Sequence, residues 1–122
     1  IMATGLMVPH ALRAAELLAA EGIHAAVVNF HTVKPIDKEC ILAMAEKCGA
    51  VVTAEAHSII GGLGSAVAEV LAGNSSAKFA RVGIQDKFGK SGKPAVLFAA
   101  YGLTAENIAE QCKHIKKQGR IV

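Results

Sequence analysis

The chain has 122 residues, 52% of them apolar, and a formal charge of +3 from 13 basic and 10 acidic side chains. That length suits one domain built on one core. The basic excess is mild and no aromatics interleave the lysines, which argues against a nucleic-acid partner. No apolar run reaches the roughly 18 residues that cross a bilayer, so no membrane partner is expected.

Residues 1–4 read as a strand ending at Gly5. Pro9 suits a helix first turn. Met7, Ala11, Leu12, Ala15, Leu18 and Ala19 follow at three- and four-residue steps, and Gly22 closes the helix. Residues 25–30 form a second strand, after which Pro35 pushes Lys34 to extended geometry. Asp37 stands as an N-cap, with Ile36 and Ile41 as a hydrophobic staple. Ile41, Met44, Ala45 and Cys48 make the buried stripe of a helix that Gly49 ends. A third strand over 50–55 leads through a loop to Gly61, Gly62 and Gly64, which open a helix closed by Gly73. A fourth strand over 79–84 and a basic, glycine-rich loop over 85–94 come next. A short helix over 95–101 is stopped by Gly102. Thr104 caps the last helix, with Leu103 and Ile108 as its staple and Ile108, Cys112 and Ile115 along its inner face.

This alternation of strand and helix predicts an α/β fold, a three-layer αβα arrangement on a mainly parallel sheet of four to five strands. The first strand begins at residue 1 with Ile ahead of the first Met, as a piece of a longer polypeptide would. It offers no signal-peptide pattern. Cys40, Cys48 and Cys112 make an odd count without CxxC spacing, and read as buried free thiols of a reducing cytoplasm.

Candidate sites concentrate where the third strand meets the glycines, the carboxyl edge at which α/β sheets place ligands. A glycine loop opening a helix aims N–H groups and the positive end of the helix dipole outward, as a ligand site or as an interface built from backbone. Gly62-Leu63-Gly64-Ser65-Ala66-Val67 approximates a dinucleotide fingerprint, with Asp86 where a ribose-binding acid would stand. Against that, residues 56–60 separate strand from glycines and Val67 replaces the third small residue, so close packing on a neighbouring domain is preferred. Glu55 and His57, two apart on a strand, would face the same way as a proton-transfer pair. Polar interface residues with ordinary hydrogen bonds are the favoured alternative. Ser65 lacks the Gly-x-Ser-x-Gly elbow of a nucleophile and reads as a helix-capping residue. His10, His24 and His114 share no ligand spacing and read as surface residues, while Lys87, Lys90 and Lys93 read as a solvated loop edge. These residues assemble no complete catalytic constellation.

Several strings together resemble the C-terminal domain of transketolase, most of all the separate C-terminal subunit of transketolases split over two chains. They are Ala3-Thr4-Gly5, Val28-Asn29-Phe30-His31-Thr32-Val33-Lys34-Pro35-Ile36-Asp37, residues 53–67, Gly89-Lys90-Ser91-Gly92-Lys93-Pro94 and Tyr101-Gly102-Leu103-Thr104. The resemblance covers nearly the whole chain and implies one transketolase C-terminal domain over 1–122. Its parent would be a thiamine-diphosphate- and magnesium-dependent enzyme moving a two-carbon ketol unit between sugar phosphates. The diphosphate- and pyrimidine-binding domains are absent from the chain, so no catalytic, cofactor or metal residue is carried over. Glu55, His57, Gly61, Gly62, Gly64 and Ser65 become candidates for contact with an upstream pyrimidine-binding domain or N-terminal subunit in a homodimer. Deoxyxylulose-phosphate synthase and the beta subunit of 2-oxoacid dehydrogenases are related alternatives, and a stand-alone nucleotide-binding or regulatory module is the alternative from another class.

Overall fold

A computed structural model describes residues 1–58, 61–84 and 94–118. Strands β1 (Met2–Ala3), β2 (Val28–Asn29), β3 (Ala50–Ser58) and β4 (Lys78–Ile84) form one parallel sheet in the order β2-β1-β3-β4. The helices are α1 (Val8–Ala19), preceded by a 3-10 turn over Gly5–Met7, then α2 (Lys38–Cys48), α3 (Leu63–Leu71), α4 (Pro94–Ala100) and α5 (Ala105–Gln118).

Alternation along β3 divides the core in two. Val52 and Ala54 join Met7, Ala11, Leu18 and Ile108 under α1 and α5. Val51 joins Ile41, Leu63, Val67 and Leu71 under α2 and α3 on the other face. Helices on both faces of a parallel sheet give the expected three-layer αβα architecture.

Local signals set the helix ends. Asp37 Oδ1 accepts from Cys40 N at 3.0 Å, and Thr104 Oγ1 accepts from Asn107 N at 3.1 Å. Gly22 and Gly102 take φ of +79° and +72°. Each completes a Schellman pair, through Ile23 N to Leu18 O at 2.9 Å and Leu103 N to Phe98 O at 2.7 Å.

Four expectations need correction. Strand β3 runs on to Ser58 rather than ending at residue 55, which shortens the stretch before the glycines. The first two strands are only Met2–Ala3 and Val28–Asn29, because β2 pairs with β1 alone and β1 is two residues long. The inner face of α1 is Ala11, Ala14 and Leu18, whereas Leu12 and Ala19 point to solvent. The thiols are free but not buried: Cys48 is exposed, and Cys40 and Cys112 are half-buried.

Cys112 packs against the α1–α5 core, and burial pushes its thiol up from the ordinary cysteine value. Iodoacetamide at pH 8 is therefore expected to modify Cys48 first and Cys112 about tenfold more slowly or less. Peptide mass spectrometry checks the order, which unfolding in urea should abolish.

Candidate functional site

The carboxyl end of β3 delivers Glu55 into the interior, where its side chain is 0% exposed. Its Oε1 accepts from Leu63 N at 2.9 Å and its Oε2 from Gly64 N at 2.7 Å. Leu63 and Gly64 are the first two residues of α3, whose opening N–H groups have no partner within the helix. The carboxylate satisfies two of them and sits at the positive end of the helix dipole. Gly62, at the N-cap, has no side chain that could do this.

Close approach explains the glycines. A Cβ on Gly64 would lie 2.7 Å from Arg81 Cδ and 3.1 Å from Glu55 Oε2. The Arg81 stem and the Glu55 carboxylate crowd the space beside Gly64, so a side chain there would displace one or both. Gly61 takes φ of +78°, a turn that L side chains rarely adopt. Its N–H donates to Ser65 Oγ at 3.0 Å, tying the loop to the first turn of α3. Ser65 therefore braces the residue before the N-cap, and the capping anion is Glu55. Thr53, two residues before Glu55 and opposite Arg81 in the sheet register, is also 0% exposed. Among the described residues its Oγ1 has no hydrogen-bond partner.

This arrangement answers the nucleotide reading. A phosphate would need the N–H groups at the start of α3, and an internal carboxylate already holds two of them. A second anion there would face like-charge repulsion in a region of low dielectric. Val67 is 0% exposed inside the α2–α3 cluster, so its side chain fills the space a dinucleotide fold reserves for close helix–strand contact. Asp86, Lys87, Lys90 and Lys93 lie outside the described residues.

Glu55 is committed to the head of α3. The β3–β4 register shifts between Ala54 and Ser58. The His57 backbone belongs to β3, and its side chain lies outside the described residues. With both oxygens bonded to backbone, Glu55 is a structural anion and its side chain reaches no surface. Gly61 is exposed, Gly62 and Ser65 half-buried, and Gly64 buried. His10 stacks obliquely on Phe98, ring centroids 5.6 Å apart, and is half-buried, while His24 and His114 are exposed.

The role of Glu55 escaped the sequence reading because its partners lie eight and nine residues ahead, across the loop. One signal was available: a helix opening Gly-Leu-Gly-Ser has no acid or hydroxyl at its N-cap, so the cap must come from elsewhere. A cleft of about 410 Å³ opens at the opposite, amino end of the sheet, with Met44, Cys48, Cys112 and Lys116 on its walls. It lies away from the glycine loop.

Glu55→Ala should destabilise the fold by about 3 kcal/mol, because two buried N–H groups lose a charged acceptor. Glu55→Gln keeps an acceptor and should cost about half as much. Urea denaturation of the two variants against the parent chain checks both the size and the order.

Comparison with known proteins agrees with this fold. The family described as "Transketolase, C-terminal domain" matches residues 1–108. A 6-deoxy-6-sulfo-D-fructose transketolase subunit of Clostridium sp. (strain MSTE9) is 51% identical over 118 residues, covering 97% of this chain and 37% of that protein. A putative transketolase C-terminal section of Methanocaldococcus jannaschii is 51% identical over 120 residues, with the same 97% and 37% coverage. A solved structure described as "Split gene transketolase, inactive beta4 tetramer" superposes with a TM-score of 0.93 at 47% identity, over 98% of this chain and 39% of that one. The chain thus spans little more than a third of the length of these relatives. By family match, sequence identity and superposition alike, it belongs to the transketolase C-terminal domain family.

Proposed function

We propose that residues 1–122 are the C-terminal domain of a cytoplasmic, thiamine-diphosphate-dependent transketolase that transfers a two-carbon ketol unit between sugar phosphates of the pentose phosphate pathway. The domain supports a homodimer and has no activity alone. The coenzyme and its magnesium belong to an upstream pyrimidine-binding domain or N-terminal subunit, against which His57 and the Gly61–Gly62 turn, with Ser65, are placed. When bound there, thiamine diphosphate would supply the carbanion chemistry of ketol transfer.

The observation that carries this reading is the filled N-terminus of α3. The described residues do not fit the coenzyme: the N–H groups best placed for a diphosphate are held by Glu55. Among them no cluster of three or more His, Cys, Asp or Glu could hold a cation. The description of the solved relative as an inactive tetramer of one subunit supports both the inactivity of a lone subunit and its assembly with copies of itself.

A second reading has one observation in its favour. A 1-deoxy-D-xylulose-5-phosphate synthase of Heliobacterium modesticaldum is 45% identical over 121 residues, covering 98% of this chain. That enzyme would share the scaffold and differ in the acceptor chemistry of its other domains.

Calorimetric titration of the chain with thiamine diphosphate and magnesium should give no heat of binding at micromolar concentrations. Joined by its upstream partner, it should yield ketol transfer between sugar phosphates. Micromolar binding by the chain alone would overturn the proposal, and condensation with pyruvate by the completed enzyme would favour the synthase.

A further inference from the structure

The outward side of α1 is unusual for a helix facing water. Pro9, Leu12, Arg13, Glu16 and Ala19 are its exposed positions, with exposed Ala20 at the C-cap, and the helical repeat brings them onto one face. A solvent-facing helix side ordinarily carries a broad band of charge. Here Leu12 stays 52% exposed, and Arg13 and Glu16 are the face's two charged side chains. Within one chain these two pair with each other, Arg13 NH1 to Glu16 Oε2 at 2.9 Å, with 60% and 68% of their side chains exposed. Leu12 packs in neither core cluster, whereas Val8 and Leu17 on the flanks of α1 do.

The charges of this face are complementary to themselves. Let two α1 helices lie antiparallel about a twofold axis that passes between residues 14 and 15. Arg13 of each copy then stands opposite Glu16 of the other, Pro9 opposite Ala20, and Leu12 beside Leu17. Moving the axis to lie on residue 16 sets Glu16 against Glu16, and placing it on residue 13 sets Arg13 against Arg13, so charge selects the first register. Small side chains at 9, 19 and 20 permit the close helix approach of about 8–10 Å that such packing requires.

The geometry points to α1 as a self-docking surface, occupied by α1 of a second copy of this chain through reciprocal Arg13–Glu16 pairs around Leu12. A twofold contact of this kind is isologous, each patch meeting itself. It deepens the homodimer reading above by naming the surface and register. One helix face buries less than a standard interface, so the isolated chain should dimerise weakly, with a dissociation constant on the order of 0.1 mM.

Sedimentation equilibrium up to about 1 mM chain reads the association directly. Arg13→Glu and Glu16→Arg, taken singly, each place like charges opposite and should weaken dimerisation by about tenfold or more. The double exchange R13E/E16R restores opposite charges and should return the constant to within about threefold of the parent. Leu12→Ser should also weaken the dimer, and circular dichroism with urea unfolding confirms that each variant is folded, as expected for exposed positions. A parent chain that stays monomeric at about 1 mM overturns the proposal. So does a dimer indifferent to both single exchanges, an outcome that would leave the homodimer reading standing and place its contact elsewhere.

Discussion

A glutamate dehydrated inside a protein is costly unless its oxygens are bonded, and Glu55 meets that condition through two backbone N–H groups at the head of α3. Much of the carboxyl edge follows from that one contact. It fixes the end of β3 to the start of α3 across a loop that would otherwise be free to choose its path. It also favours Gly64, since a Cβ there would press on both the carboxylate and the Arg81 stem. The turn at Gly61 and the brace from Ser65 then bring the chain round in the direction the carboxylate needs. Removal of any one of these residues loosens the reason for the others.

The same contact separates two structures that look alike in sequence. Glycines between a strand and a helix open either a cradle for an external phosphate or a seat for an internal acid. Both use the same N–H groups and the same dipole. What decides is whether the preceding strand carries an acid placed to reach those N–H groups. Here Glu55 does, and the first two N–H groups of α3 are taken. Such a loop can dock against protein without competing for an anion.

Legibility in the sequence followed the range of the interaction. The caps at Asp37 and Thr104 each engage an N–H three residues on, and the glycines at 22 and 102 act within one turn, so short windows contain cause and effect. The motif strings carried the family for the same reason, as ordered local patterns spread over most of the chain. Strand lengths were less legible, because β2 extends only as far as β1 can pair with it. In α1 the periodicity was ambiguous. Ala11, Ala14 and Leu18 lie beside Leu12, Ala15 and Ala19, both sets apolar, and packing on the sheet selects between them. Glu55 was the least legible, since its identity as a cap depends on a loop closing first.

Where the fold leaves surface for association also has a physical logic. In the described sheet the outer strands are β2, two residues long, and β4, which exposes Lys78 and Arg81. A short edge and an edge carrying two cations both discourage addition of further strands. Antiparallel pairing of β4 with its own copy would bring like charges together. Association through the described sheet edges is thereby disfavoured. Among the described residues, the large apolar side chains left accessible, Leu6 and Leu12, lie on helical turns, where a twofold contact would close on itself without propagating. A domain that meets other protein on several sides would need that restriction, because each exposed edge would otherwise compete with its proper neighbours.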